Sequence, residues 1–249
     1  MPAAPPDPSG VPDVWTEPFR VRAVEVGPDE RASVLAVADY FQEAAGEHAR
    51  AAGVETFALG GGTGTWVLHR LRLQIRALPG MRAAVTVETW PSAYDGLRAS
   101  RDFVLRDADG GELARGTSAW LVMHAERRRP VRLPPAVLQF GPADRDRALT
   151  FEDEPAPPDA VEAERRFTVR RADLDRVGHA NNVRFVEWAL EALDSDDGLR
   201  GVDVLYRAEA VWGDTVVSRA GPLADGARAH ALVREADGRT LALARTEWA

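Results

Sequence analysis

The segment DLDRVGHANNVRFVEWALEAL, residues 173–193, decides the fold because it joins a polar turn to an amphipathic helix. Apolar residues recur in it three and four positions apart, which predicts a helix with one buried face. These residues are Val183, Val186, Leu190 and Leu193. The turn before them holds two aspartates, a histidine and two asparagines, although a helix start needs only one capping residue. We therefore expect this turn to do more than begin a helix.

Composition limits the classes of protein that the chain can belong to. It has 249 residues, 45% hydrophobic and 28% charged, which is typical of a globular protein with a substantial core. No apolar run is long enough to span a membrane, and the first residues lack a signal-peptide pattern, so we expect a cytoplasmic protein with a disordered, proline-rich leader over residues 1–16. The absence of cysteine excludes a thiol nucleophile, and a net charge of -8 argues against a nucleic-acid partner.

The order of elements occurs twice along the chain. Each half shows a strand, then a helical pattern, then several strands with alternating polarity, and YFQEAAGE (40–47) superposes on RFVEWALE (184–191), matching Phe41 with Phe185. This repeat predicts an α+β fold with two long helices, each wrapped by a curved antiparallel sheet. The expected boundaries are residues 17–145 and 164–249, with a linker over 146–163.

Four segments carry a resemblance to a known family. They are DLDRVGHANNVRFVEWALE, YRAEAVWGD, TWVLHRLRLQIRALPGMRAAVTVETW and GTSAWLVMHAERRRPVRLP. Together they resemble the acyl-ACP thioesterases of plants and bacteria, where ACP is the acyl carrier protein. The resemblance covers nearly everything from about residue 17 to the end. It implies a double hotdog fold and hydrolysis of fatty acyl-ACP to a free fatty acid and holo-ACP. It also implies an acyl-chain pocket in the first hotdog and a catalytic loop and strand in the second.

The same resemblance implies which residues form the site. In this family the loop before the second helix reads Asp-x-Asn-x-His, and a later strand supplies a glutamate that is often followed by cysteine. Asp175 and His179 match the loop, and Glu209 matches the glutamate. Two positions depart from the pattern, because Val177 replaces the usual asparagine and Ala210 replaces the cysteine found in plant members.

Thioester hydrolysis without a covalent intermediate needs a base, an activated water and donors to the oxyanion. We expect Glu209 or Asp175 to be the base and His179 to polarise or orient. Backbone N–H groups near Asn181 and Asn182 would stabilise the oxyanion at the helix start. Each residue also has a plain structural interpretation, since aspartate closes turns, asparagine caps helices and a histidine can be structural. We expect no metal and no cofactor.

The expected partner is an acidic ACP carrying a fatty acyl chain, with no nucleic-acid or membrane partner. Local arginines are the candidates for docking it. They are Arg127, Arg128, Arg129 and Arg184. Two fused hotdogs can pair their sheet edges within one chain, where single hotdog units do so by forming a dimer. A monomer or a homodimer is therefore expected. The alternatives are a thioesterase for acyl-CoA or for a specialised pathway, or an acyl-binding protein without activity because of Val177.

Overall fold

The computed structural model describes residues 10–55, 64–195 and 198–249. The chain divides into two compact units, the first formed by Met1–His69 and Arg76–Thr150 and the second by Arg70–Ile75 and Phe151–Ala249. Residues 1–9 of the predicted leader lie outside the described part, and the first strand begins at Trp15, within the last residues of that leader. None of the helices in the described ranges is both long enough and apolar enough to cross a membrane.

Unit 1 places one long helix against an antiparallel sheet. Its elements are β1 Trp15–Arg20, α1 Val34–Ala51, β2 Gly64–Ile75 (shared with unit 2), β3 Ala84–Tyr94, β4 Arg98–Asp107, β5 Glu112–His124, β6 Arg129–Val131 and α2 Pro135–Phe140. Strands β1, β3, β4 and β5 pair antiparallel in that order, and β2 lies next to β5 on its other side. The short strand β6 pairs with the C-terminal end of β5. The short elements β6 and α2 have no counterpart in the sequence prediction.

Helix α1 begins and ends where its sequence directs. Ser33 caps it by accepting a hydrogen bond from the backbone N–H of Ala36 at 3.2 Å. Gly53 follows the helix with φ +68°, a conformation that glycine adopts without strain. The buried face packs on β1, β3 and β4, and the rings of Phe41 and Phe103 stack with centroids 4.7 Å apart. The helix is therefore the centre of the unit's apolar core.

Unit 2 repeats the arrangement with a shorter helix. Its further elements are β7 Ala163–Thr168, α3 Asn182–Leu190, β8 Leu199–Tyr206, β9 Thr215–Pro222, β10 Arg228–Arg234 and β11 Thr240–Trp248. The order of its antiparallel strands is the β2 segment Arg70–Ile75, then β8, β11, β10, β9 and β7. Helix α3 contacts β8, β9 and β10.

Helix α3 ends earlier than the sequence predicts. The apolar pattern extends to Leu193, but the helix stops at Leu190. The residues that follow include Asp194, and a negative charge at a helix C-terminus opposes the helix dipole. Residues 196–197 lie outside the described part.

The repeat is real, but the predicted matching of the two helices is wrong by one turn. Ser33 and Asn181 are the two N-caps, and both follow a short 3-10 helix and a bridged turn. Counting from these caps, Phe185 corresponds to Val37 and not to Phe41. A shift of four residues nearly preserves the face of a helix, so the sequence pattern alone did not distinguish the two registers.

His48 is a fully buried histidine on α1 that the fold holds neutral. Its Nδ1 lies 3.0 Å from an Arg101 guanidinium nitrogen, which can only donate, so Nδ1 accepts and Nε2 donates to the carbonyl of Pro12 at 2.9 Å. Burial, together with the charge of Arg101, lowers the pKa of His48 from 6.5 to about 4.

This arrangement makes stability depend on pH. Because the pKa of His48 is depressed in the fold, the unfolded chain takes up this proton first, and the free energy of unfolding falls as pH drops from 6.5 towards 4. His48→Gln should reduce that slope by up to ~1.4 kcal/mol per pH unit. Urea unfolding of both proteins from pH 7.5 to pH 5 measures it. Equal slopes would contradict the neutral buried histidine.

Candidate active site

The polar turn that precedes α3 is closed by Asp175. Its Oδ1 accepts the backbone N–H groups of Val177 at 2.9 Å and His179 at 3.2 Å, and its own N–H donates to the carbonyl of His179 at 2.7 Å. Gly178 completes the turn at φ +84°. One oxygen of Asp175 is therefore engaged in holding the backbone that carries His179, which is the structural interpretation of this residue.

His179 and Glu209 come together through a backbone bridge. His179 pairs with Val211, and the N–H of Ala180 donates to the carbonyl of Ala210 at 2.8 Å. This places Nε2 of His179 3.4 Å from Oε2 of Glu209, with 36% and 35% of the two side chains exposed. Solvent can therefore reach both side chains.

Glu209 lies beyond the strand on which the sequence predicts it. Strand β8 ends at Tyr206, and the N–H groups of Arg207 and Ala208 both donate to the carbonyl of Leu241. Two donors on one acceptor end the regular ladder, so the chain leaves the sheet before Glu209. The glutamate is thus carried by an irregular segment, where a side chain can turn towards His179.

A buried aspartate anchors the other side of the turn. Asp173 is 1% exposed and accepts hydrogen bonds from the backbone and side chain of Arg170 at 2.7 Å. Burial alone would raise the pKa of Asp173, but the bonds from Arg170 outweigh it and hold this pKa below 3.8. The carbonyl of Asp173 then accepts the N–H of Asn181 at 2.8 Å, which fixes the start of α3.

Arg234, which the sequence does not predict as a site residue, holds the segment that carries Glu209. Its guanidinium donates to the carbonyl of Glu209 at 2.7 Å and to Oδ2 of Asp214 at 3.0 Å. The same Asp214 oxygen accepts the N–H of Val211 at 3.0 Å. Arg234 ends β10, and nothing in the spacing of the sequence connects it with Glu209. We call Asp214 and Arg234 the clamp.

The remaining predicted site residues have identifiable places. Asn181 is the N-cap of α3, because its Oδ1 accepts the N–H of Val183 at 3.0 Å. The carbonyl of Asn182, the first residue of the helix, accepts the hydroxyl of Tyr206 at 3.1 Å. Val177 has 47% of its surface exposed and contributes its backbone N–H to the turn, a bond that any residue except proline can make.

The four arginines predicted to dock ACP are carried by different elements of the chain. Arg127 and Arg128 are exposed in the turn between β5 and β6 of unit 1, and Arg129 begins β6. Arg184 lies on α3 and forms an ion pair with Glu187 one turn further along. The charge of Arg184 is therefore compensated within its own helix.

The equivalent turn in unit 1 does not carry the pair. There Arg31 bridges Gly80 as His179 bridges Val211, and Asp29 accepts the N–H of Arg31 at 3.0 Å. Counting from the bridges, Leu78 takes the place of Glu209. The turn and its backbone bridge, which we call the frame, thus occur in both units. The histidine and the glutamate occur in the frame of unit 2 alone. Within the described ranges no cluster of three or more His, Asp or Glu side chains could hold a metal.

The fold and the pair together place the chain among hotdog-type proteins. An acyl-ACP thioesterase from Bacteroides thetaiotaomicron superposes with a TM-score of 0.85 over 95% of this chain and 98% of that one, at 20% identity, which speaks to the fold alone. The 12:0-ACP thioesterase from Umbellularia californica superposes with a TM-score of 0.79 over 95% and 97% of the two chains, at 27% identity. These likenesses confirm the predicted double hotdog.

Sequence comparison identifies the family. Residues 12–140 match the profile of the acyl-ACP thioesterase N-terminal domain, and residues 157–249 match that of the C-terminal domain. A chloroplastic dodecanoyl-[acyl-carrier-protein] hydrolase from Cinnamomum camphora is 30% identical over 262 residues, covering 94% of this chain and 67% of that protein. The chain therefore belongs to the acyl-ACP thioesterase family, a family of thioester hydrolases, which confirms the resemblance predicted from its sequence.

The clamp should determine how well Glu209 is placed. Arg234→Ala should lower kcat by about 10-fold to 100-fold, because it displaces Glu209, one of the two expected bases, and a displacement of about 1 Å at a reacting group has effects of this size. Arg234→Lys should retain part of the activity. Kinetics on an acyl thioester, with circular dichroism as a check on folding, measures this. The matched control is Arg245→Ala, which removes an arginine of β11 that forms ion pairs with Asp225 and Glu247. Equal losses in Arg234→Ala and Arg245→Ala would contradict the positioning role.

Proposed function

We propose that this protein hydrolyses fatty acyl-ACP to a free fatty acid and holo-ACP, with Glu209 as the general base. The observation that carries the proposal is the partly exposed pair of His179 and Glu209, 3.4 Å apart. A carboxylate beside an imidazole in reach of solvent provides a proton acceptor and a hydrogen-bond donor at one place. Family membership supports the reaction class.

The proposed reaction needs one water and no covalent intermediate. The water oxygen attacks the thioester carbonyl carbon while Glu209 takes one of its protons, giving a tetrahedral oxyanion. The carbon–sulfur bond then breaks, and the leaving sulfur takes up the proton from Glu209. The products are a carboxylic acid and the thiol of the carrier, and the base returns to its starting form.

His179 and Asp175 have separate roles in this proposal. His179 orients the Glu209 carboxylate or polarises the thioester carbonyl through its Nε2, which is the ring nitrogen facing Glu209. Asp175 positions His179, because its Oδ1 accepts the backbone N–H of that residue. We therefore prefer Glu209 to Asp175 as the base. Val177 is compatible with this arrangement, since the turn uses its backbone N–H.

The N-terminus of α3 supplies the electrostatic stabilisation in this proposal. A helix start favours negative charge, and α3 begins three residues after His179. The N–H groups of Asn181 and Val183 are engaged within the fold, so Asn181 acts as the cap. An oxyanion site near Asn181 and Asn182 stays a prediction. That residues 17–145 hold the acyl chain, and that the protein is cytoplasmic, also stay predictions.

The base assignment predicts a large and selective loss of activity. Glu209→Gln should lower kcat by about 10²-fold or more, since the amide cannot take the proton from water. Asp175→Asn should have a smaller effect, because an amide oxygen can still accept the two N–H groups of the turn. Thiol release from acyl-ACP of several chain lengths measures both.

The matched control is Glu235→Gln, which changes an exposed glutamate in the turn after β10. It should turn over acyl-ACP at the wild-type rate. Full activity in Glu209→Gln would refute the base assignment. A wild-type protein that binds acyl-ACP without releasing thiol would refute the proposed function in favour of acyl binding, and equal use of acyl-CoA would remove the preference for the carrier protein.

A further inference from the structure

Three exposed apolar residues belong to the two backbone segments that carry His179 and Glu209. Val177 is 47% exposed, Val211 39% and Trp212 59%. Val177 lies in the turn two residues before His179, and Val211 is the residue that His179 bridges. Large exposed apolar side chains that cluster at one place mark a surface that contacts a partner.

An arginine is added to this apolar group. The guanidinium of Arg171 lies over the ring of Trp212, with its carbon 4.4 Å from the ring centroid. Among the described residues, no carboxylate lies within ion-pair distance of Arg171, in contrast to its neighbour Arg170, which pairs with Asp173. Arg176, in the same turn as Val177, is also exposed. We call Arg171, Arg176, Val177, Val211 and Trp212 the rim.

The backbone fixes Trp212 in this position. The N–H of Gly213 donates to the carbonyl of Val169 at 3.0 Å, and the N–H of Val169 donates to the carbonyl of Asp214 at 2.9 Å. The turn that carries Trp212 is thereby tied to the chain just before Arg171. A tryptophan held with little freedom, stacked on an arginine, loses little conformational entropy on binding. Both residue types are enriched among those that dominate binding energy at protein interfaces.

We propose that the rim docks the carrier domain of the acyl-ACP substrate, which is an acidic protein. This inference rests on the proposed function and names the surface through which that function selects its substrate. The chain as a whole has a charge of -8 and repels an acidic partner, so a local cation beside the site is needed. A carrier seated on the rim presents its thioester beside His179 and Glu209.

The rim differs from the arginines predicted to dock ACP. Arg184 is compensated by Glu187, Arg127 and Arg128 belong to a turn of unit 1, and Arg129 begins β6. Trp212, in contrast, directly follows Val211, the residue that His179 bridges, and Arg171 lies over the Trp212 ring. Docking at the rim thus follows from its place beside the pair.

The test compares one acyl chain on two carriers. Arg171→Glu and Trp212→Ala should each lower kcat/KM for acyl-ACP by about 10-fold or more, mainly through KM, as loss of a dominant interface residue does. With the same acyl group on N-acetylcysteamine, both variants should stay within about 2-fold of wild type, because this thioester has no protein to dock. Added salt should lower kcat/KM for acyl-ACP more in the wild type than in Arg171→Glu, because salt screens the attraction that the variant has lost.

The matched control is Arg200→Glu, which makes the same charge change at an exposed arginine at the start of β8, the opposite end of that strand from Glu209. This variant should have the wild-type kcat/KM for both substrates. Equal losses on both substrates in the rim variants would overturn the proposal, because they would indicate damage to the site. Unchanged kinetics on acyl-ACP would overturn it as well. A wild-type protein that does not prefer acyl-ACP to the small thioester would overturn docking at the rim, whereas one that releases no thiol from acyl-ACP would refute the proposed function itself.

Discussion

The site depends on one backbone bridge, in which His179 pairs with Val211 and Ala180 donates to Ala210. This contact joins the turn before α3 to the irregular segment after β8, and no side chain is needed to form it. Buried backbone groups must be paired, so the fold imposes this bridge whichever side chains occupy positions 179 and 209. The clamp, the Asp175 turn and the buried Asp173 each hold one side of it.

The duplication explains why one unit is expected to carry the chemistry. Both units contain the bridged turn, the 3-10 helix and the capped helix, so the backbone offers the same frame twice. In unit 1, Arg31 forms the bridge and donates through its side chain to the carbonyl of Leu78 at 2.8 Å. A fixed cation beside a leucine cannot take a proton from water, because arginine stays protonated and leucine has no polar atom. We therefore interpret the bridged turn of unit 1 as structural.

The sequence predicted the double hotdog and the meeting of loop and glutamate, because both rest on long patterns and on a family motif. It did not predict the end of β8, since alternation in VLYRAEAVW continues past the point where two N–H groups converge on Leu241. Arg234 was missed because its link to Glu209 joins distant segments through a backbone carbonyl, which leaves no motif. The double use of Asp175 as turn residue and support for His179 also required the structure.

The central claim is that His179 and Glu209 act as one unit, and a double-mutant cycle tests it most directly. Rates of acyl-ACP hydrolysis should be measured for His179→Ala, Glu209→Gln and the double variant, each checked for folding. Residues that act together give losses that do not multiply, so the double variant should be about as slow as the slower single variant. Losses that multiply would show that the two side chains act independently and would contradict this account of the site.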